Sequence, residues 1–245
     1  MSVMNKISIR VQKISLLYVF FLLTMIPCSA QDTLRNVYGL WVIDDWPVFE
    51  KTVQHSPRKS MVNLSRYVPG IVFDLRYSGS ANFTGQPLYP PLTTSWMRKP
   101  AAEALAKVQA ELAKKGYGLK VFDAYRPYAV TVKMWEPVKD DRYAADPRKG
   151  SGHNRGIAID LTVIDKRTGK ELPMGTGFDN FSDTAHHAFS ALPAEVLKNR
   201  LLLKTLMERY GFKALDTEWW HYYFTASKDD ELLDISFSDL KRHSR

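Results

Sequence analysis

Ser151-Gly-His153-Asn-Arg-Gly156-Ile-Ala-Ile-Asp160-Leu-Thr-Val-Ile-Asp165 joins a tight turn to a strand. From Gly156 the apolar side chains alternate. Ile157, Ile159, Leu161 and Val163 share one face, and Ala158, Asp160 and Thr162 share the other, the two-residue period of β-structure. Asp160 is a charge within an apolar run, aimed away from the aliphatic side. Buried charges are normally paired or metal-bound. Gly156 lets the backbone bend or approach closely, which would bring His153 beside Asp160.

Outward from this strand, Asp165-Lys-Arg-Thr-Gly169-Lys170 reads as a turn. Upstream, Pro100 to Lys115 is the clearest helix. Pro100 stands at its start, Ala101, Leu105, Val108 and Leu112 form one face, and Gly116 ends it. Leu119 to Asp123 reads as a strand leading into Ala-Tyr-Arg126-Pro127, and Ile71 to Tyr77 as an earlier one. Asn82 to Thr94 holds Gly85, Pro87, Pro90 and Pro91 and is expected to be loop. Residues 31–60, with Pro47 and Pro57, read as an irregular leader. Downstream, Pro193 to Tyr210 is a helix ended by Gly211, and Trp219 to Thr225 an aromatic strand. No βαβ rhythm or Gly-rich phosphate loop appears. The expected class is α+β, a single domain with a mostly antiparallel sheet flanked by helices.

The chain has 245 residues, 45% of them hydrophobic, enough for one domain with a real core. Residues 1–30 have the layout of a secretory signal peptide: Lys6, Arg10 and Lys13 without an acid, an apolar run from Ile14 to Ile26, then Cys28-Ser-Ala30. That run is shorter than the roughly 20 residues of a membrane span. Export to the periplasm or medium is expected, with residues 31–245 as the catalytic domain and no stable membrane insertion after cleavage. A lipid anchor on Cys28 is the second choice, since Pro27 is a poor residue before such a site. Losing those three basic residues takes the net charge from +8 to +5. The mature chain has no long Lys/Arg run and no nucleic-acid motif, so no nucleic-acid partner is expected. Cys28 is the only cysteine, so disulfides, thiol nucleophiles and Cys-rich metal sites are excluded from the mature chain.

The chemistry gathers at His153, Asp160 and Glu218-Trp-Trp-His221. Two imidazoles and one carboxylate suit one zinc ion with a position left open for water. Glu218, three residues before His221, is placed to act as a base. The surrounding aromatics also read simply as core. Arg126, at a strand end, either stabilises an oxyanion or binds a substrate carboxylate, or makes a surface salt bridge with Asp123. His186-His187 read as structural or surface residues, because adjacent helical residues do not face one site. His55 and His243 receive no role.

Ser151 to Thr162 and Glu218 to His221 resemble the two zinc motifs of the D-alanyl-D-alanine dipeptidases, the VanX-like family. Asp123-Ala-Tyr-Arg126-Pro127 is similar to that family's Asp-x-Tyr-Arg-Pro segment. Tyr77 with Asn82-Phe-Thr-Gly85, and Met174-Gly-Thr-Gly-Phe-Asp179, resemble two more of its motifs. The likeness spans about residues 65–225, in family order. It implies an α+β zinc dipeptidase fold shared with D,D-carboxypeptidases and hydrolysis of a small D,D-dipeptide. By the resemblance, His153, Asp160 and His221 bind zinc and Glu218 is the general base. Arg126 would stabilise the transition state, and Ser151 and Tyr77 would help hold the ends of the dipeptide. An exported member would suit wall recycling or nutrient scavenging better than antibiotic resistance.

Two other functions stay open on sequence. A D,D-carboxypeptidase acting on peptidoglycan stem peptides would share the zinc set, but such relatives usually have Pro rather than Trp within the last motif. A non-catalytic zinc-stabilised wall-binding module would need neither Glu218 nor Arg126.

Overall fold

Alternating aliphatic residues build the centre of the molecule. The computed structural model describes residues 35–243; the expected signal peptide and Cys28 lie outside the described residues. In chain order the strands are β1 (Val42–Ile43), β2 (Met61–Asn63), β3 (Val72–Phe73), β4 (Trp96–Arg98), β5 (Tyr117–Asp123), β6 (Ala158–Asp165), β7 (Phe212–Leu215), β8 (Glu218–Phe224) and β9 (Leu232–Leu233). The helices are α1 (Trp46–His55), α2 (Leu64–Tyr67), α3 (Lys99–Ala113), α4 (Tyr128–Val138), α5 (Ala194–Arg209) and α6 (Phe237–His243).

The main sheet runs β3-β5-β6-β8-β7. Only the β3–β5 pairing is parallel; β5–β6, β6–β8 and β7–β8 are antiparallel. The mostly antiparallel α+β fold expected from the sequence is present. Leu119 and Val121 of β5 join Ile159, Leu161 and Val163 of β6 in one apolar core with Ala101, Leu105, Val108 and Leu112 of α3 and Leu203, Leu206 and Met207 of α5. Each such aliphatic side chain gains about 2 kcal/mol from burial. Gln109 of α3 accepts the Leu119 N–H at 2.8 Å and locks helix to strand. A second apolar cluster, including Phe49, Tyr77, Tyr89, Trp96, Tyr125, Leu233 and Phe237, packs beyond the site. Among the described residues no helix is long and apolar enough to cross a membrane.

Two expectations need correction. Within the supposedly irregular leader lies α1. Asp45 caps it by accepting the Val48 N–H at 3.2 Å, and Pro47 occupies its first turn, where proline lacks only an unused donor. The strand expected over Ile71–Tyr77 stops after Phe73. The chain then turns through a short 3₁₀ segment at Arg76–Ser78, which buries Tyr77.

Candidate metal centre and its pocket

Three neighbouring strands place acidic and imidazole side chains in one row. Asp160 of β6 pairs across with Asp123 of β5 on one side and with His221 of β8 on the other. Two irregularities make this possible. The β5–β6 register slips between Val121 and Asp123. The β7–β8 register jumps from Ala214↔Tyr222 to Leu215↔Glu218. Strict alternation would send Glu218 and His221, three residues apart, to opposite faces. The bulge lets both line one pocket.

His153 arrives from the turn before β6. The N–H groups of Ile157 and Ala158 both donate to Gly152 O, and Gly156 N–H donates to His153 O at 3.0 Å. Gly156 has φ +70°, a backbone that favours glycine, and a Cβ there would lie 2.6 Å from Met61 Sδ and push the flexible end of that side chain aside. Asn154, fully buried, donates from Nδ2 to Arg126 O (2.9 Å) and Thr131 Oγ1 (2.8 Å), tying the turn to α4.

The ligand atoms converge. His153 Nδ1 lies 2.6 Å from Ala124 O. A carbonyl can only accept, so this nitrogen carries the proton and Nε2 presents the lone pair. Nε2 faces His221 Nδ1 at 3.2 Å and Asp160 Oδ2 at 3.4 Å. His221 Nδ1 lies 2.9 Å from Asp160 Oδ1. Tetrahedral zinc with bonds of 2.0–2.2 Å would hold its ligand atoms about 3.3 Å apart. The donor set and spacing therefore fit zinc, and the three residues form a group able to hold a metal ion. Burial opposes charge on Asp160 and on His221, yet attraction wins, from His153 and then His221 on Asp160 and from Asp160 on His221. The Asp160 carboxyl is held below its ordinary range and the His221 imidazole is lifted above its own.

A cavity of about 180 Å³ opens over this group, lined among others by Tyr77, Arg126, Ser151, Asp179, Glu218 and Trp220. Every residue expected at the site from sequence thus borders one space. Glu218 Oε2 stands 3.9 Å from His221 Nδ1. Burial pushes its carboxyl up to about 8, helped by Asp160 and Asp179 and opposed by His221 and Arg126. Arg126 combines two of its sequence readings. It does pair with Asp123, through Nε at 3.1 Å and Nη2 at 2.8 Å, but both residues are buried and the guanidinium also lines the pocket. It lies 5.2 Å over the Tyr77 ring. Asp123 further accepts from Tyr89 Oη at 2.9 Å.

Asp179 carried no role in the sequence reading. Tyr77 Oη donates to its Oδ1 at 2.9 Å, while Oδ2 is buried without a partner. Burial pushes this carboxyl up to about 7, against the Tyr77 hydrogen bond. Asp179 also adopts φ +57°, unusual for a side-chain-bearing residue. Its only sequence signal was its place at the end of the Met174-Gly-Thr-Gly-Phe-Asp179 motif. The remaining histidines lie elsewhere. His186 O accepts from Arg200 Nη1, burial first lowers the His187 imidazole to about 4, and His243 stacks on Trp46.

Comparison with known proteins agrees with this geometry. A family model described as D-ala-D-ala dipeptidase, of peptidase family M15, matches residues 58–242. A D-alanyl-D-alanine dipeptidase of Escherichia coli (strain K12) is 34% identical over 183 residues, 75% of this chain and 94% of that protein. A D-alanyl-D-alanine dipeptidase of Enterococcus faecium is 36% identical over 178 residues, 65% of this chain and 88% of that protein.

Proposed function

We propose, from the premise that the chain belongs to the D-Ala-D-Ala dipeptidase family of peptidases, that it hydrolyses free D-alanyl-D-alanine or a related D,D-dipeptide to amino acids. The observation that carries this reading is the convergence of Glu218, Arg126, Tyr77 and Asp179 on one small cavity above His153, Asp160 and His221. Its volume of about 180 Å³ gives room for a small dipeptide.

His153, Asp160 and His221 would hold one zinc ion. When bound, zinc supplies Lewis-acid polarisation and acidifies a water to a pKa of about 7. Glu218 accepts a proton from the attacking water and passes it to the leaving amine. Its distance from the ligand group supports a proton-handling role rather than a ligand role. Arg126, held rigid by Asp123, presents its guanidinium to the oxygen that gains charge at the scissile carbonyl. Asp179 Oδ2, buried without a partner, suits the substrate ammonium, with Tyr77 holding that carboxylate in place. Ser151, which also lines the cavity, would help hold the other end of the dipeptide.

Membership of a peptidase family speaks against a non-catalytic wall-binding module. The D,D-carboxypeptidase alternative is separated by assay. Purified residues 31–245 with zinc should cleave free D-Ala-D-Ala and leave a muropeptide ending in D-Ala-D-Ala nearly untouched; the reverse preference overturns the proposal. We further propose export directed by residues 1–30, so that the mature chain begins near Gln31. N-terminal sequencing that returns Met1, or recovery in the cytosol, would overturn export.

A further inference from the structure

His221 stands between two cavities. Its Nδ1 faces Asp160 and His153, so Nε2, across the ring, points away from the ligand group. His221 also lines a second cavity of about 210 Å³, with Ser151, Arg155, Tyr223 and Lys228 among others. A metal-binding imidazole ordinarily donates its second N–H to an oxygen, which fixes the tautomer and makes the ring a better ligand. Among the described residues, no group is hydrogen-bonded to His221 Nε2.

Two cations, Arg155 and Lys228, line this cavity with His221. Arg155 Nη1 donates to Ser151 O at 3.2 Å, while its Nε is buried without a partner. Asp229 attracts Arg155 without reaching ion-pair distance. Neither Arg155 nor Lys228 forms an ion pair with a described residue, in contrast to the buried Arg98 and Arg126. Two cations without ion-pair partners, and an imidazole whose Nε2 carries the proton once Nδ1 ligates metal, form an acceptor-seeking site around one cavity.

We propose that this cavity binds a small oxyanion, and that the bound oxyanion accepts the Nε2–H of His221 from behind the metal centre. The inference rests on the reading of His221 as a metal ligand. The oxyanion chemistry is shared by inorganic phosphate and by the carboxylate of a released amino acid. Either would bridge Arg155 and Lys228 and anchor His221 with its Nδ1 lone pair toward the metal. Loss of such outer partners typically weakens metal binding 10–100-fold, so an occupied cavity would slow zinc loss.

The test uses the full chain, first stripped of metal so that the probe cannot ligate zinc. Inorganic phosphate and D-alanine are titrated separately by calorimetry into wild type, Arg155→Met and Lys228→Met. At least one probe should saturate wild type and bind Lys228→Met about 10-fold more weakly. The probe that saturates identifies the source. Lys228 is exposed, so its variant keeps the test intact even if Arg155→Met fails to fold. The zinc-loaded wild type should then release zinc to a chelator about 10-fold more slowly with the saturating probe present, and Lys228→Met should not respond. Absence of binding by both probes, binding unchanged in Lys228→Met, or zinc release indifferent to the bound probe would each overturn the proposal. Failure of dipeptide hydrolysis with these results intact would count against the proposed reaction instead.

Discussion

In the proposed reaction Glu218 and Arg126 do different work, and substitution separates them. Glu218 lies outside the three-residue ligand group but lines the same pocket. Glu218→Gln preserves shape and hydrogen bonding but cannot accept a proton. It should retain stoichiometric zinc by metal analysis and lose about 10²–10⁴-fold in activity, the usual worth of a positioned acid–base group. The loss should fall on kcat, because proton transfer belongs to the transition state. A variant that loses its zinc would make Glu218 a ligand, and near-wild-type turnover would move the base elsewhere. Arg126 also neutralises the fully buried Asp123, so Arg126→Ala would confound catalysis with folding. Arg126→Lys keeps a charge for Asp123 but loses the planar fork. It should hold its melting temperature within a few degrees while kcat falls about 10²–10³-fold, the range for a lost oxyanion donor. Equal losses of stability and turnover would mark the arginine as structural.

Regular elements carry the site only because they are interrupted. The turn that presents His153 needs Gly156 at φ +70° with no Cβ against Met61. Gly156→Ala should therefore destabilise the protein through two separable causes. Left-handed backbone costs about 1–2 kcal/mol for a residue with a Cβ. The clash with the end of the Met61 side chain adds to it. Met61→Ala in the same chain should recover the clash but not the backbone cost, read as a partial return of the denaturation midpoint. Full recovery would show that the backbone conformation is unstrained. These interruptions also set what the sequence disclosed. Two-residue alternation put Asp160 opposite the aliphatic face, and α3, α5 and the central strands followed from periodicity and their Gly and Pro boundaries. The register slips beside Phe122 and Trp219–His221 break that same period, so nothing in the spacing showed how Glu218 and His221 share a face. Pro47 looked like a breaker because a lone sequence does not distinguish a first helical turn from a loop. Asp179 was invisible as a pocket carboxylate because its burial depends on Tyr77, 102 residues away.

At the scale of the whole molecule, the site works against the fold that houses it. Without metal, the pocket buries carboxyls whose ionisation the surroundings resist: Asp179 is raised to about 7 and Glu218 to about 8, in each case first by burial. A group whose folded pKa is raised stabilises fully below its unfolded pKa, and that contribution is lost as pH rises through the folded value. For Asp179 the window runs from about pH 4 to about 7 and is worth on the order of 4 kcal/mol. Raised His221 acts in the same direction, whereas depressed Asp160 costs stability only as pH falls below the ordinary carboxylate range. The metal-free protein should therefore melt highest near pH 4–5 and lower toward pH 8, most steeply above about pH 6.5, below which depressed His187 (about 4) offsets part of the decline. Asp179→Asn should flatten part of that decline. Zinc held by these residues would reverse the balance, since it binds deprotonated ligands and its affinity rises with pH. Ligand binding to the folded state adds RT ln(1 + [L]/Kd) of stability. The melting-temperature difference between zinc-loaded and metal-free protein should accordingly widen from pH 5 to pH 8 at fixed zinc excess. Scanning calorimetry across that range, with wild type, Asp179→Asn and His221→Ala, measures it. His221→Ala should show little zinc-dependent gain at any pH. A gap that is constant with pH in the wild type would mean that these buried groups do not titrate with metal binding and that the site is not His153, Asp160 and His221.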